Sequence, residues 1–191
     1  MTQTTNLGAY TSAIADCIKN ARFLTKEQKQ ISAEEATGEI EKMIQEVKVG
    51  KKKLLFIGNG GSATVAAHFA EDFSKMANIR GLAFNDGPLL TCLANDYSFE
   101  ECFQKAIEIY ADAGDVLFAI SSSGKSPNIR NGAEAATKLG CKVITLSGFA
   151  EGNPLSGLGN INIHTPSTSY GIVESSHSII IHAILDHIVG K

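Results

Sequence analysis

The spacing of apolar residues divides the chain into a helical first quarter and an alternation of strands and helices after it. In the first fifty residues apolar side chains recur every three or four positions over residues 9–24, which predicts one helix. A second helix is predicted over residues 32–49, where Ser32 as N-cap and Glu35 three positions later form a capping box. Residues 1–50 are therefore expected to form an N-terminal helical pair.

From residue 51 onward, short apolar runs alternate with helix-like segments. The runs that predict strands lie at 54–58, 81–85, 116–120, 142–146 and 161–164. The segments that predict helices lie at 62–76, 88–95, 99–110, 126–139 and 172–189. Runs such as LLFI and VLFAI are apolar throughout, which is typical of parallel strands covered on both faces.

This pattern predicts an α/β fold, a doubly wound parallel sheet flanked by helices in a flavodoxin-like or Rossmann-like sandwich. We expect one domain over residues 1–191, made of the N-terminal helices (1–50) and the α/β core (51–191). In such sheets ligands bind beyond the carboxyl ends of the strands, so the loops after residues 57, 120 and 146 are the places to look for chemistry.

Composition narrows the classes of function. The net charge of −3 gives no reason to expect a nucleic-acid partner, and no apolar run is long enough for a membrane span. The first ten residues are polar and lack the basic segment of a signal peptide, and the four cysteines show no CxxC spacing. We therefore expect a cytoplasmic protein with reduced thiols, no nucleic-acid partner and no membrane association.

The loop after the first predicted strand of the core is rich in glycine. It reads Gly58-Asn59-Gly60-Gly61-Ser62 and opens a predicted helix, so its backbone can approach a ligand and offer free N–H groups to an anion. A tight turn without a ligand is one alternative. A dinucleotide site is another, but the acid expected near the end of the next strand is matched only by Asp86, which comes late.

A second loop, ISSSGKSPN over residues 120–128, occupies the same position after another predicted strand. Its Gly-Lys-Ser resembles part of a nucleotide-binding P-loop, but Ala119 stands where the first glycine of that motif would be. Two loops with hydroxyl groups at one sheet edge suit a compact phosphate monoester better, and no nucleotide cofactor is expected. The hydroxyl groups of this second loop belong to Ser121, Ser122, Ser123 and Ser126.

Two of the predicted helices carry histidines and carboxylates. His68 and Asp72 are four residues apart and share one face of the helix, a spacing compatible with a shared divalent ion or with a simple surface hydrogen bond. In the last helix Glu174 and His182 are eight residues apart, which places them about 80° apart around the axis and about 12 Å apart along it.

The motifs GNGGSA, HFAED, AISSSGKSPN and ESSHSIIIH together resemble the sugar isomerase (SIS) domain family, and within it the phosphoheptose isomerases. The similarity extends over nearly the whole chain. It implies an aldose–ketose isomerase that converts sedoheptulose 7-phosphate to D-glycero-heptopyranose 7-phosphate through an enediol, in heptose biosynthesis. It also implies a homotetramer with sites built across subunits.

The resemblance implies a role for each matched residue. The phosphate would be bound by Ser62, Ser121, Ser123 and Ser126. The sugar would be contacted by Asn59, Gly60, Gly61, Asp96, Ser122 and Glu174. Zn²⁺ would be held by His68, Asp72, Glu174 and His182, with Asp72 as the catalytic base and His182 as the acid.

Two of these positions depart from the family pattern. The family has a glutamate where this chain has Asp72, and a glutamine where it has Glu174. The shorter Asp72 side chain reaches about one methylene less far, and Glu174 adds a negative charge beside the metal. Three functions therefore stay open. They are a phosphoheptose isomerase with conservative ligand changes, an isomerase of another phosphosugar, and a non-catalytic phosphosugar-binding or protein-interaction module of the kind that binds a replication initiator.

Overall fold

The computed structural model describes residues 6–191, which form one seven-stranded sheet with helices on both faces. The first five residues of the predicted N-terminal segment lie outside the described part. The strands are β1 Arg22–Thr25, β2 Gln30–Ile31, β3 Leu54–Gly58, β4 Gly81–Ala83, β5 Val116–Ser121, β6 Lys142–Ser147 and β7 Ile161–His164. The helices are α1 Leu7–Lys19, α2 Ala33–Val49, α3 Gly61–Met76, α4 Gly87–Asp96, α5 Cys102–Tyr110, α6 Pro127–Lys138 and α7 Tyr170–Val189.

The strand order is β2-β1-β7-β6-β5-β3-β4. The five strands from β7 to β4 are parallel and have the flavodoxin-like order, with the reversal of winding between β3 and β5. The loops after these two strands diverge there and leave a crevice at the sheet edge. The predicted doubly wound α/β core is confirmed.

The N-terminal segment differs from the predicted helical pair. Helix α1 ends at Lys19, and the chain then forms the hairpin β1–β2, so residues 21–24 are not helical. Strand β1 pairs antiparallel with β7, with Phe23 opposite Ile163. Pairing with the free edge of β7 satisfies backbone groups that a longer helix would have satisfied within itself, and it makes the sheet mixed rather than wholly parallel.

Successive side chains along the buried strands point to opposite faces of the sheet, which produces two apolar layers. On β3, Leu54 and Phe56 face a layer formed with α2, α3 and α7, whereas Leu55 and Ile57 face the layer formed with α5 and α6. All five β3 residues are buried, because both faces of the sheet are covered. The rings of Phe56 and Phe118 stack at 4.9 Å across the β3–β5 pair, which fixes the two strands that carry the glycine and serine loops.

Helix α7 is long and apolar enough, by length and composition alone, to cross a membrane. Its apolar character has another explanation in this fold, since Val173, Ile181 and Leu185 are fully buried in the protein interior. The same helix carries Glu174 and His182, so its packing fixes where those two side chains lie.

Candidate active site

The loop between β3 and α3 requires glycine at two places. Gly60 has φ +54°, which is unfavourable for residues with a side chain. A Cβ at Gly58 would overlap the backbone of Ser62 and Ala63, because the first turn of α3 packs directly on the end of β3. The loop thereby points the N-terminus of α3 into the crevice, where it favours an anion.

The loop between β5 and α6 is turned by Gly124, which has φ +63°. Ser126 is the N-cap of α6, but its side chain makes no capping hydrogen bond. Its Oγ lies 3.4 Å from Ser121 Oγ, so the two hydroxyl groups stand side by side. Ser122 Oγ is buried and has no hydrogen-bond partner among the described residues. A ligand oxygen would satisfy these hydroxyl groups.

Asn59 and Asn128 join the two loops through a reciprocal pair of hydrogen bonds. Asn59 Nδ2 donates to Asn128 Oδ1 at 2.9 Å, and Asn128 Nδ2 donates to Asn59 Oδ1 at 3.0 Å. Asn128 Oδ1 also accepts from the Ile129 N–H, so the amide of this buried residue is fixed in one orientation. Asn128 was not among the predicted site residues, although it lies within the SSSGKSPN motif.

A third segment supports the serine loop from behind. Gly148 N–H donates to Ser122 O, and Leu155 N–H donates to Gly124 O. Asn153 packs so closely against Gly124 that a Cβ there would overlap its amide, while its Nδ2 donates to Ser147 Oγ at 3.0 Å. The backbone of the serine loop is therefore held from the end of β6 as well as from its own helix.

These loops and α7 enclose a cavity of about 250 Å³. The ten residues that line it are Asn59, Gly60, Gly61, Ser62, Ser121, Ser122, Ser123, Ser126, Tyr170 and Glu174. Nine of them are predicted substrate-binding residues. Tyr170, the first residue of α7, was not predicted to line the site, since the helix was predicted to begin two residues later.

Asp96 does not line this cavity. It is exposed at the end of α4, where its carboxylate accepts hydrogen bonds from Asn95 Nδ2 at 3.0 Å and Cys92 Sγ at 3.5 Å. Within the described chain, the predicted contact of Asp96 with the sugar therefore has no counterpart in the cavity.

His68, Asp72 and His182 converge at another point of the α3–α7 contact. Asp72 Oδ2 lies 3.2 Å from His68 Nε2 and 3.9 Å from His182 Nε2. The two histidine Nε2 atoms are 3.2 Å apart. Asp72 is buried, whereas both imidazoles are about half exposed, at 46% for His68 and 45% for His182.

The donor set of this group fits a catalytic zinc site. One ligand atom from each residue lies within 4.8 Å of the other two, and two imidazoles with one carboxylate leave a coordination position open. His182 Nδ1 lies 3.0 Å from Ser178 O, an acceptor, so Nδ1 carries the hydrogen and Nε2 presents its lone pair to the group. The ring of Phe69 packs edge-on against His182 at 4.6 Å and holds its orientation.

Glu174, the fourth predicted metal ligand, is not in this group. Its carboxylate lies against Gly61 at the N-terminus of α3, where a Cβ on Gly61 would overlap it. The predicted set of four ligands is therefore a set of three in this structure, with Glu174 in the cavity instead.

The cavity and the histidine group lie along the same pair of helices. Gly61 faces Glu174 near one end of the α3–α7 contact, and His68 faces His182 further along. Seven residues separate Gly61 from His68, a distance of about 10 Å along the axis of α3. Neither histidine lines the cavity, so the cavity and the histidine group are two separate parts of the α3–α7 contact, which we call the seam.

His177 lies in the interior behind the site. Its Nε2 is 3.1 Å from both Ser147 O and Thr165 Oγ1. Burial disfavours the charged imidazolium and lowers the pKa of His177 to about 4. The residue is therefore neutral near pH 7 and supports the end of β6, from which Gly148 holds the serine loop.

Comparison with known proteins agrees with this architecture. Residues 9–148 match the family model for the SIS domain. The phosphoheptose isomerase of Helicobacter hepaticus is 40% identical over 150 residues, which cover 75% of this chain and 76% of that protein. The phosphoheptose isomerase of Shewanella denitrificans is 36% identical over 179 residues, covering 87% of this chain and 91% of that protein.

Solved structures extend the similarity to the whole fold. The phosphoheptose isomerase of Neisseria gonorrhoeae superposes with a TM-score of 0.79 at 28% identity, covering 96% of this chain and 95% of that one. The phosphoheptose isomerase of Francisella tularensis gives a TM-score of 0.78 at 26% identity, covering 97% of each chain. The chain therefore belongs to the SIS domain family and, within it, to the family of the phosphoheptose isomerases.

Proposed function

We propose that this chain is a phosphoheptose isomerase that interconverts sedoheptulose 7-phosphate and D-glycero-heptopyranose 7-phosphate, in heptose biosynthesis. The observation that carries the proposal is the seam between α3 and α7, which has an anion cavity at one end and the His68, Asp72 and His182 group further along. The relatives at 34–40% identity that bear the name phosphoheptose isomerase support the choice of substrate.

The phosphate is assigned to the cavity end. Ser62, Ser121, Ser123 and Ser126 donate their hydroxyl hydrogens to its oxygens, and the N-terminus of α3 adds a favourable dipole. Asn59 and Ser122 contact the neighbouring sugar hydroxyls, and Asn128 fixes the orientation of Asn59.

The reacting carbons are assigned to the histidine end. Asp72 removes a proton from C1 of the ketose while His182, which carries protons on both ring nitrogens at the start of the cycle, donates the Nε2 proton to the C2 carbonyl oxygen, which gives the enediol. Asp72 then returns a proton to C2, and the proton of the C1 hydroxyl leaves to His182 as the aldehyde forms. Atoms and charge balance over the cycle, and both residues end in their starting protonation states.

Zinc is the proposed metal; His68, Asp72 and His182 would hold it, and when bound it would polarise the carbonyl oxygen in place of the Nε2 proton of His182. Asp72 offers one oxygen, Oδ2, to the histidines, and its other oxygen, Oδ1, lies 3.7 Å from Lys75 Nζ. The carboxylate therefore has an oxygen left for the proton when Oδ2 is engaged.

The separation along the seam favours a long substrate. The phosphate of a heptulose 7-phosphate and its reacting carbons lie at opposite ends of the carbon chain, as do the cavity and the histidine group along α3. An isomerase of a different phosphosugar is the alternative within the same chemistry. A non-catalytic binding module would have no use for the convergent His68, Asp72 and His182.

We propose further that the protein works as a homotetramer in the cytoplasm and folds as a single domain. Exposed apolar side chains on α1 and α7 support oligomerisation, with Leu7 77% and Ile179 47% exposed.

The test is to incubate the purified protein with sedoheptulose 7-phosphate, with and without Zn²⁺, and to follow the aldose by NMR. We expect conversion by the natural protein and by Glu71→Gln, a neighbouring exposed carboxylate on α3 that pairs with Lys75. Asp72→Asn should lose turnover while keeping the fold. Absence of conversion by the natural protein in both conditions would overturn the heptose assignment.

A further inference from the structure

We propose that Glu174 selects the substrate class, admitting phosphosugars whose groups other than the phosphate are hydroxyl or other hydrogen-donating groups and rejecting those with a second anionic group. The inference rests on the proposed function, since it concerns the same cavity. It goes further by naming which phosphorylated compounds that cavity refuses.

The first observation is the charge of the cavity wall. Of the ten lining residues, nine are uncharged, and Glu174 is the one that carries a charge. Among residues 6–191 the lining contains no lysine, arginine or histidine, and Lys125 in the serine loop is exposed outside it. The cavity thus binds an anion through hydroxyl groups and a helix N-terminus while holding one carboxylate of its own.

The second observation is the position of that carboxylate. Both oxygens and the carboxyl carbon of Glu174 lie so close to Gly61 that a Cβ there would overlap all three. Glycine at position 61 therefore makes the room that the carboxylate occupies. Because Glu174 stands over the N-terminus of α3, it takes part of the space where a bound anion would be most favourable.

The cavity has two walls that differ in hydrogen-bonding chemistry, a serine wall formed by the loop after β5 and an α7 wall that carries Glu174. The serine hydroxyls can donate to phosphate oxygens, whereas an ionised carboxylate only accepts hydrogen bonds. A ligand group that reaches Glu174 must therefore donate, as a hydroxyl does. A second phosphate or a carboxylate at that place would meet a like charge without a neighbouring basic residue to compensate it.

This arrangement also gives the substrate its direction. The phosphate is repelled from the α7 wall and settles on the serine wall, and the carbon chain then runs past Glu174 towards the histidine group. Two phosphorylated six-carbon compounds isolate the effect, because sorbitol 6-phosphate and 6-phosphogluconate differ only in the terminal group, an alcohol in one and a carboxylate in the other.

The experiment measures both affinities by calorimetry at pH 7.5 for the full-length natural protein, Glu174→Gln and Glu134→Gln. Glutamine keeps the shape of the side chain and removes its charge. Glu134 is an exposed residue of α6 outside the cavity, so its variant controls for the loss of one negative charge. Circular dichroism and inorganic phosphate binding confirm that each variant is folded and keeps its serine loop.

We expect the natural protein and Glu134→Gln to bind sorbitol 6-phosphate at least about tenfold more tightly than 6-phosphogluconate. Glu174→Gln should reduce this ratio to within about twofold, mainly by tightening the binding of 6-phosphogluconate. A ratio that stays unchanged in Glu174→Gln, or a natural protein that does not discriminate, overturns the inference and leaves the proposed function standing. Failure of the natural protein to bind sorbitol 6-phosphate at all would overturn both.

Discussion

His68 Nε2 lies 3.2 Å from His182 Nε2, although the two residues are 114 positions apart in the chain. Both nitrogens face the buried carboxylate of Asp72, and the Nδ1–H of His182 is taken by Ser178 O. Two imidazole nitrogens in such proximity next to a carboxylate are well placed to share a metal ion or a proton. The relationship depends on the packing of α3 against α7.

Removal of one imidazole should strongly weaken metal binding. His182→Ala is expected to weaken zinc affinity by more than the roughly 10- to 100-fold that loss of an outer-shell partner costs, because a direct ligand is lost. Competition with a chromophoric chelator measures the affinity. His187→Ala is the control, since this histidine of the same helix pairs with Glu41 at 3.2 Å outside the group. Equal loss in both variants would contradict the assignment.

Removal of the amide at Asn128 should loosen the two loops. Asn128→Ala leaves the Asn59 amide without its partner and is expected to cost about 1–3 kcal/mol of unfolding free energy and to weaken inorganic phosphate binding. Urea denaturation and calorimetry measure the two effects. Asn131→Ala, a partly exposed position on α6 whose amide donates to Glu100 O, should leave phosphate binding unchanged. Phosphate affinity unaffected in Asn128→Ala would show that the pair does not position the loops.

Two glycine substitutions should change the stability of the protein in opposite directions. Gly58→Ala places a Cβ 2.9 Å from Ala63 N, against backbone that cannot move away, and is expected to cost about 1–3 kcal/mol of stability. Gly38→Ala lies inside α2 with nothing within 4 Å and should stabilise by up to about 1 kcal/mol. Thermal unfolding compares the two. Similar shifts in both variants would mean that α3 does not pack on β3 as described.

Stability should fall on acidification because of His177. Its pKa is lowered by burial from 6.5 to about 4, so between these values the unfolded chain binds a proton that the folded chain refuses. The contribution of neutral His177 to the free energy of unfolding is therefore largest above pH 6.5. It decreases by about 3 kcal/mol as the pH falls to 4. Burial also lowers the pKa of His164, which adds in the same direction.

Urea denaturation between pH 7 and pH 4 measures this dependence. His177→Asn should flatten it, whatever its effect on stability at pH 7, whereas His187→Asn at an exposed position should not. If the free energy of unfolding depends on pH as steeply in His177→Asn as in the natural protein, His177 is excluded as the source of the pH dependence.

The sequence predicted the α/β core because the apolar runs of β3 and β5 are buried on both faces of the sheet, which leaves little choice of structure. It did not predict the hairpin, since Ala21 and Leu24 continue the helical spacing of α1. Pairing of β1 with the edge of β7, more than 130 residues later, decides that segment. Local spacing carries no information about such a partner.

The candidate site was predictable where the loop follows its strand directly, as for Gly60, Ser121 and Ser126. Tyr170 and Asn128 were missed because their roles depend on the approach of other elements. The position of Glu174 depends on how α7 packs beside α3, which the sequence does not show. Its predicted role as a metal ligand came from the family resemblance alone.

The most direct test of the central claim, that Asp72 and His182 move protons on an enediol, is isomerisation of sedoheptulose 7-phosphate in D₂O. The aldose produced by the natural protein should carry deuterium at C2, since the proton removed to Asp72 exchanges with solvent before it returns. Mass spectrometry and NMR detect the label, and Asp72→Asn should give neither product nor label. Product that retains all of the substrate's hydrogen, or formation at an undiminished rate by Asp72→Asn, would contradict the account.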